Sequence, residues 1–222
     1  MRRALALAFC LGSLASAGRA QSLAVPAERG TVGGQIAVTA ATGVPWGRAG
    51  ATDDFYDPQD LASVVSYTID LGLHAGLRLG KRWSIGGYAE LGLPSAAYPG
   101  GSGLSAFKAG IEGTLRAWFG ASRSLWISLG AGYETLVLSD SDRAGDSVQG
   151  FELARLTTGW EWSPLRWVAV GPFVLLSGGV YPWRTIKVPI SDGPVDSLST
   201  TYDVPARMHG WLLFGLSGHV GP

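Results

Sequence analysis

Between Tyr67 and Leu79 the chain changes character at every residue. Tyr67, Ile69, Leu71, Leu73, Ala75, Leu77 and Leu79 are apolar, whereas Ser66, Thr68, Asp70, Gly72, His74, Gly76 and Arg78 are polar or small. Successive side chains of a β-strand point to opposite faces, so this segment makes a strand with one apolar and one polar face. A slanted strand crosses a bilayer in about 9–11 residues, and this run is long enough. The alternation returns, weaker in places, over residues 32–42, 83–93, 107–119, 125–134, 155–162 and 208–220. An eighth segment, 167–181, is apolar on both faces; its phase stays open, and Pro172 removes one ladder donor from it. Hydrocarbon satisfies no free backbone N–H or C=O, which excludes an open sheet edge. The expectation is therefore an all-β chain: an eight-stranded antiparallel up-and-down transmembrane β-barrel, its last strand paired with its first.

The start of the chain fits export. Arg2 and Arg3 precede an apolar run from Ala4 to Leu14, followed by Ala15-Ser16-Ala17 and Gly18-Arg19-Ala20. A basic start, a short apolar stretch and small residues make a secretory signal peptide, with cleavage after Ala20 preferred over Ala17. The division expected is a signal peptide at 1–20, a short periplasmic segment at 21–31 and the barrel at 32–222. The only cysteine, Cys10, lies inside the leader, so the exported chain has no thiol chemistry. Charged residues make up 15% of the chain, against about 25–35% of a soluble surface. The formal net charge is +0 and there is no basic block, which argues against nucleic acid as a partner.

The connections alternate in length. Tight turns lie around Lys81-Arg82, Ala121 to Arg123 and Pro164 to Arg166, while the stretches 43–63, 94–105, 139–150 and 182–205 read as long loops. Short turns at one rim and long loops at the other are the habit of outer-membrane barrels, whose short turns face the periplasm. Aromatic residues gather at the rims: Trp83, Trp118, Phe119, Trp126, Trp160, Trp162 and Trp167 near the short turns, and Tyr67, Tyr98, Phe107, Phe151, Tyr181 and Trp183 near the loops. Such rings settle at headgroup level, so these residues read as two girdles.

With this pattern on the whole of 32–222, the chain resembles the small outer-membrane β-barrel proteins of Gram-negative bacteria, the eight-stranded group that includes the OmpA membrane domain, OmpX and OmpW. The segment from Gly210 to Val220 resembles the terminal strand that the barrel-assembly machinery reads. That signal commonly ends in Phe, whereas Val220, Gly221 and Pro222 stand here. The resemblance implies a monomer in the bacterial outer membrane, with outer-membrane lipid, lipopolysaccharide and the assembly machinery as partners. It also implies a non-enzymatic role in envelope structure, surface contact or passage of small solutes.

The polar phase collects Asp70, Glu90, Glu112, Glu134 and Glu161 against Arg78, Lys108, Arg116 and Arg155, with His74 and His209 nearby. An eight-stranded barrel is just wide enough for side chains to fill it. Buried charges are costly unless paired, so this set reads as an interlocked salt-bridge network in the lumen, or as the lining of a narrow polar path. Two rivals have a distinct signature. A lipocalin-like secreted barrel turns its apolar phase inward, and a lipid-modifying enzyme of this architecture needs a His and a Ser two residues apart. The three histidines are followed two positions later by Gly76, Trp211 and Gly221, so no catalytic residue is assigned. Asp140, Asp142 and Asp146 alternate as Ca²⁺ ligands do, but Ala144 breaks the pattern, and no metal or cofactor is expected. Ten of the seventeen acids are Asp in the four loops, while the tight turns carry Lys81, Arg82, Arg123 and Arg166 and no acid.

Overall fold

The computed structural model describes residues 32–48, 61–96, 104–119, 122–140, 143–165, 167–189 and 197–221. The leader and the 21–31 segment lie outside them. Nine strands are present among the described residues: β1 (Val32–Gly47), β2 (Val65–Leu79), β3 (Trp83–Ala96), β4 (Leu104–Phe119), β5 (Arg123–Asp140), β6 (Arg143–Leu165), β7 (Val168–Pro189), β8 (Ser197–Asp203) and β9 (Met208–Val220). One helical turn, α1 (Leu61–Val64), precedes β2.

Each of β1 to β7 pairs antiparallel with the next. β9 pairs with β7 on one side and β1 on the other, which closes an eight-stranded ring. The ring is sheared. Cross-strand partners lead from Ala37 through His74, Tyr88, Gly110, Gly132, Glu152, Gly179 and His209 to Gly47, ten residues further along β1. Ten rises of ~3.3 Å against eight interstrand spacings of ~4.8 Å tilt the strands by about 40°, within the usual range for barrels.

Two expected loops are strand over much of their described length. Residues 139–140 belong to β5 and 143–150 to β6, whose ladder runs on to Asp140↔Arg143. In the 182–205 stretch β7 continues to Pro189 and β8 returns alongside it, from Trp183↔Asp203 to Pro189↔Ser197. β6 and β7 are 23 and 22 residues long. That exceeds the ~9–11 needed to cross a bilayer, so this side of the ring rises beyond the rest as an extended sheet. A strand that runs on outside hydrocarbon tolerates aspartate and serine, so their polarity does not stop the ladder.

The structure also sets the phase of β7. Phe173, Leu175, Ser177 and Tyr181 face inward and are buried, while Val170, Val174 and Leu176 face out. The β6–β7 register passes from Gly159↔Phe173 to Trp162↔Val170 with no pair at Pro172, consistent with its missing donor.

Candidate functional site

The lumen is filled by side chains in three levels, descending from the loop end. At the upper level Lys108 Nζ on β4 lies 3.2 Å from Asp70 Oδ2 on β2, and the ammonium sits 4.7 Å from the centre of the Trp211 ring. Glu134 on β5 accepts hydrogen bonds from Tyr181 Oη at 2.7 Å, Trp211 Nε1 at 2.6 Å and His209 Nε2 at 3.1 Å. The Tyr181 and His209 rings stack 3.6 Å apart. The carboxylate is therefore met by three donors from β7 and β9.

At the middle level Arg155 on β6 reaches across to Glu90 on β3, with Nη1 3.0 Å from Oε2 and Nη2 bonded to Oε1. The same guanidinium is 3.5 Å from Glu152 and lies over the Tyr88 ring, whose hydroxyl donates to Glu152. His74 Nδ1 is 2.7 Å from Glu112, which also accepts from Ser128 Oγ at 3.1 Å. At the lower level Glu161 is bound by Arg116 at 3.2 Å, Ser124 at 3.2 Å and His219 at 2.9 Å. A single-partner ion pair repays its desolvation poorly, whereas carboxylates with two or three donors each have their lone pairs occupied.

The outward phase is the reverse. Leu71 is 50% exposed, Ile111 70% and Leu129 66%, and they belong to an apolar belt running round every strand of the ring. Asp70, Glu90, Lys108, Arg116, Glu134, Arg155 and Glu161 are all buried inside it. Water around such a surface would be unfavourable and hydrocarbon favourable, while the paired charges stay out of both.

The chain is a transmembrane β-barrel.

A soluble barrel of the lipocalin kind, with its apolar phase inward, is excluded by this orientation. The barrel matches no protein-family model and no curated protein in sequence. Among solved structures it is similar to Neisserial surface protein A, at 10% identity over 85% of this chain and 96% of that one, with a TM-score of 0.43. It is similar to the outer membrane protein OprG from Pseudomonas aeruginosa, at 12% identity over 84% and 95%, TM-score 0.48. Ail, the attachment invasion locus protein of Yersinia pestis, is 11% identical over 84% and 97%, TM-score 0.41.

All nine charged residues singled out in the sequence face the barrel interior. Arg78 lies at the short-turn end and is buried. Two buried charged residues were not foreseen. Glu152 is 1% exposed, although Leu156, four residues on, faces out. A bulge between them leaves both Leu153 and Ala154 exposed, and the β6–β7 register shifts there. The phase read from Arg155 to Glu161 therefore fails above residue 154. Arg184, the second, sits in the continuation of β7 that had read as loop.

The girdle needs two corrections. Trp83, Phe119, Trp160, Trp162 and Trp167 are exposed on the outer face, with Phe119 stacked on Trp160 at 5.9 Å. Trp126 is instead 7% exposed inside the lumen. It belongs to the inward phase of β5 with Ser124 and Ser128, and its indole lies against Gly159 on β6, where a Cβ would come within 2.7 Å of the ring. Tyr181, assigned to the loop-end girdle, is buried on Glu134. Trp118 donates its indole N–H to the Lys81 carbonyl at 2.8 Å, pinning the β2–β3 turn.

The lumen also contains an apolar part. Leu61 of α1, Val65, Leu104, Leu136 and Val148 are buried together at the loop end, above the charged levels. Below the Glu90–Arg155 pair a cavity of ≈ 40 Å³ opens among residues including Ala37, His74, Glu112, Arg116, Trp126 and His219.

Proposed function

We propose that this protein is a non-enzymatic scaffold of the bacterial outer membrane, which carries its extended β5–β8 sheet and Asp-rich connections outside the cell for surface contact. The observation that carries the proposal is the Glu90–Arg155 bridge, which joins opposite walls with apolar side chains packed above it. A lumen spanned in this way leaves no continuous water path, and it fixes the shape of the wall on which the outer sheet stands. Short turns at one rim support a periplasmic orientation for that rim, because outer-membrane barrels keep their short turns there. The aspartates of the outer connections give lipopolysaccharide phosphates a place to be bridged by divalent cations, and insertion relies on the barrel-assembly machinery reading β9.

The test is electrical. Purified protein in planar bilayers at moderate salt gives no stepwise conductance above the lipid baseline. Regular, reproducible openings would replace the scaffold with a small-solute channel. A second arm compares lipid A from cells with and without the gene by mass spectrometry, where identical profiles are expected and a shifted acyl pattern would make the protein an enzyme.

A further inference from the structure

The fixed charges that fill the lumen do not balance. Among the described residues six carboxylates lie inside the ring: Asp70, Glu90, Glu134, Glu152 and Glu161, all buried, and the partly buried Glu112. Four permanent cations face them, Arg78, Lys108, Arg116 and Arg155. Arg184 stands in the continuation of β7 beside β8, beyond the ring, and does not change this count. Two carboxylates without a counter-charge inside an apolar cylinder are costly, and such a site takes up protons instead. All three histidines of the chain lie in the lumen, and each touches an acid. His74 Nδ1 is 2.7 Å from Glu112, His219 Nε2 2.9 Å from Glu161 and His209 Nε2 3.1 Å from Glu134. An imidazole is more basic than a carboxylate by about two pH units, so it takes the proton first.

Two of the three rings are within reach of water. His74 and His219 are 16% and 17% exposed and line the cavity below the Glu90–Arg155 bridge, whereas His209, above it, is 0% exposed. The cavity has room, at ~10–15 Å³ for each water centre, for about three waters. Its wall holds unmatched donors, Trp126 Nε1 and Thr157 Oγ1, beside an unmatched acceptor, Gln35 Oε1, a mixture that suits water rather than an ion of either sign. His219 Nδ1 is also without a partner in the protein. A smaller cavity, bordered by Arg78, shares Gln35 and His219 with the first and extends it toward the short-turn rim.

The groups around the two rings favour the charged form. His74 faces Glu112 on β4, Glu90 at 3.8 Å and the Tyr88 ring on β3, and the Thr39 hydroxyl on β1. Arg155 on β6 meets Glu90 as well, but it is shared with Glu152. His219 faces Glu161 on β6, which also holds Arg116 of β4, and the Trp126 ring on β5. β1 and β7 bring no charged group to either cavity.

We propose that the short-turn half of the lumen is a proton-binding site, in which His74 and His219 take up protons through the cavity and complete the ion-pair network as imidazolium ions. Two protons cancel the deficit of two. With both rings charged this half is latched, His74 tying β2 to β4 and His219 tying β9 to β6. Loss of the protons leaves acid in excess and loosens the latch. The device is independent of what the outer sheet contacts.

The test uses the untagged full chain folded in detergent and labelled with ¹⁵N-histidine. At pH 7 the rings of His74 and His219, assigned with His74→Gln and His219→Gln, are expected to show both nitrogens protonated, where an ordinary imidazole is mostly neutral. If either variant fails to fold, the wild-type spectrum still decides, because the charge balance requires at least two of the three rings to be imidazolium. Fewer than two overturns the proposal. A second arm follows urea unfolding in lipid vesicles from pH 6 to pH 9. The folded lumen keeps protons that the unfolded chain releases, so stability is fully present below about pH 6.5 and falls as the pH rises, by up to about tenfold in the folding constant per pH unit for each imidazole. The double change His74→Gln with His219→Gln removes most of that slope. A level wild-type profile, or a double variant with the wild-type slope, would overturn the latch.

Discussion

Arg155 and Glu90 sit on strands three places apart in the ring, yet both carboxylate oxygens of Glu90 are met by the two terminal nitrogens of Arg155. The bond is a strut across the barrel. Glu152 and the Tyr88 ring hold the same guanidinium from its other sides, so its geometry is over-determined.

Removing one end of that strut leaves a buried charge without its counter-ion. Arg155→Met is expected to destabilise the barrel by about 3–5 kcal/mol, whereas the triple change Arg155→Met with Glu90→Leu and Glu152→Gln recovers much of the loss, because no buried carboxylate is then left without its cation. Urea unfolding in lipid vesicles, followed by tryptophan fluorescence, measures both. A triple variant as unstable as the single would show that the three residues do not act as a unit.

The position of each tryptophan is directly observable. Single-tryptophan variants retaining Trp83, Trp160 or Trp162 are expected to be quenched by brominated lipid, since these indoles face the bilayer. Variants retaining only Trp126 or Trp211 are expected to escape quenching, because both indoles lie within the lumen. Strong quenching of Trp126 would return it to the outer girdle and reverse the assigned phase of β5.

Charge on the outer belt is expected to cost according to depth. Ile111 lies mid-strand and 70% exposed, so Ile111→Arg destabilises the barrel by about 2–4 kcal/mol, and the same change at Val32, at the end of β1, costs ~0–1 kcal/mol. Equal costs at both positions, measured by refolding into vesicles, would contradict the bilayer placement.

Two glycines of β1 make a matched pair for the closing seam. A Cβ at Gly43 would fall 1.9 Å from the Leu212 carbonyl oxygen on β9, whereas one at Gly34 meets nothing within 4 Å. Gly43→Ala is expected to lose about 1–3 kcal/mol through overpacking at the junction of first and last strands. Gly34→Ala leaves stability nearly unchanged. The folded band on unboiled gels after a denaturant series distinguishes them, and similar midpoints for the two would refute the tight seam.

The sequence by itself determined the ring and its orientation, because a period of two over Tyr67 to Leu79 and its counterparts separates the faces whatever the neighbours do. It also placed Glu112, Arg116 and Glu134 inside, since each lies in an unbroken alternation with Ile111, Leu115 and Leu129. Three matters were decided only by tertiary structure. The bulge at Leu153 and Ala154 turned Glu152 inward, and a one-residue slip leaves no trace in composition. β7 is apolar on both faces, so only its ladders with β6 and β9 chose Phe173 and Leu175 for the lumen. Trp126 shares the inward parity of Ser124 and Ser128 on β5, and whether an indole fits there was settled by Gly159 on the adjacent strand, which leaves it space. Periodicity tells a strand which of its sides meet different solvents; where both sides are apolar, or the count slips, the packing of neighbouring strands makes the choice.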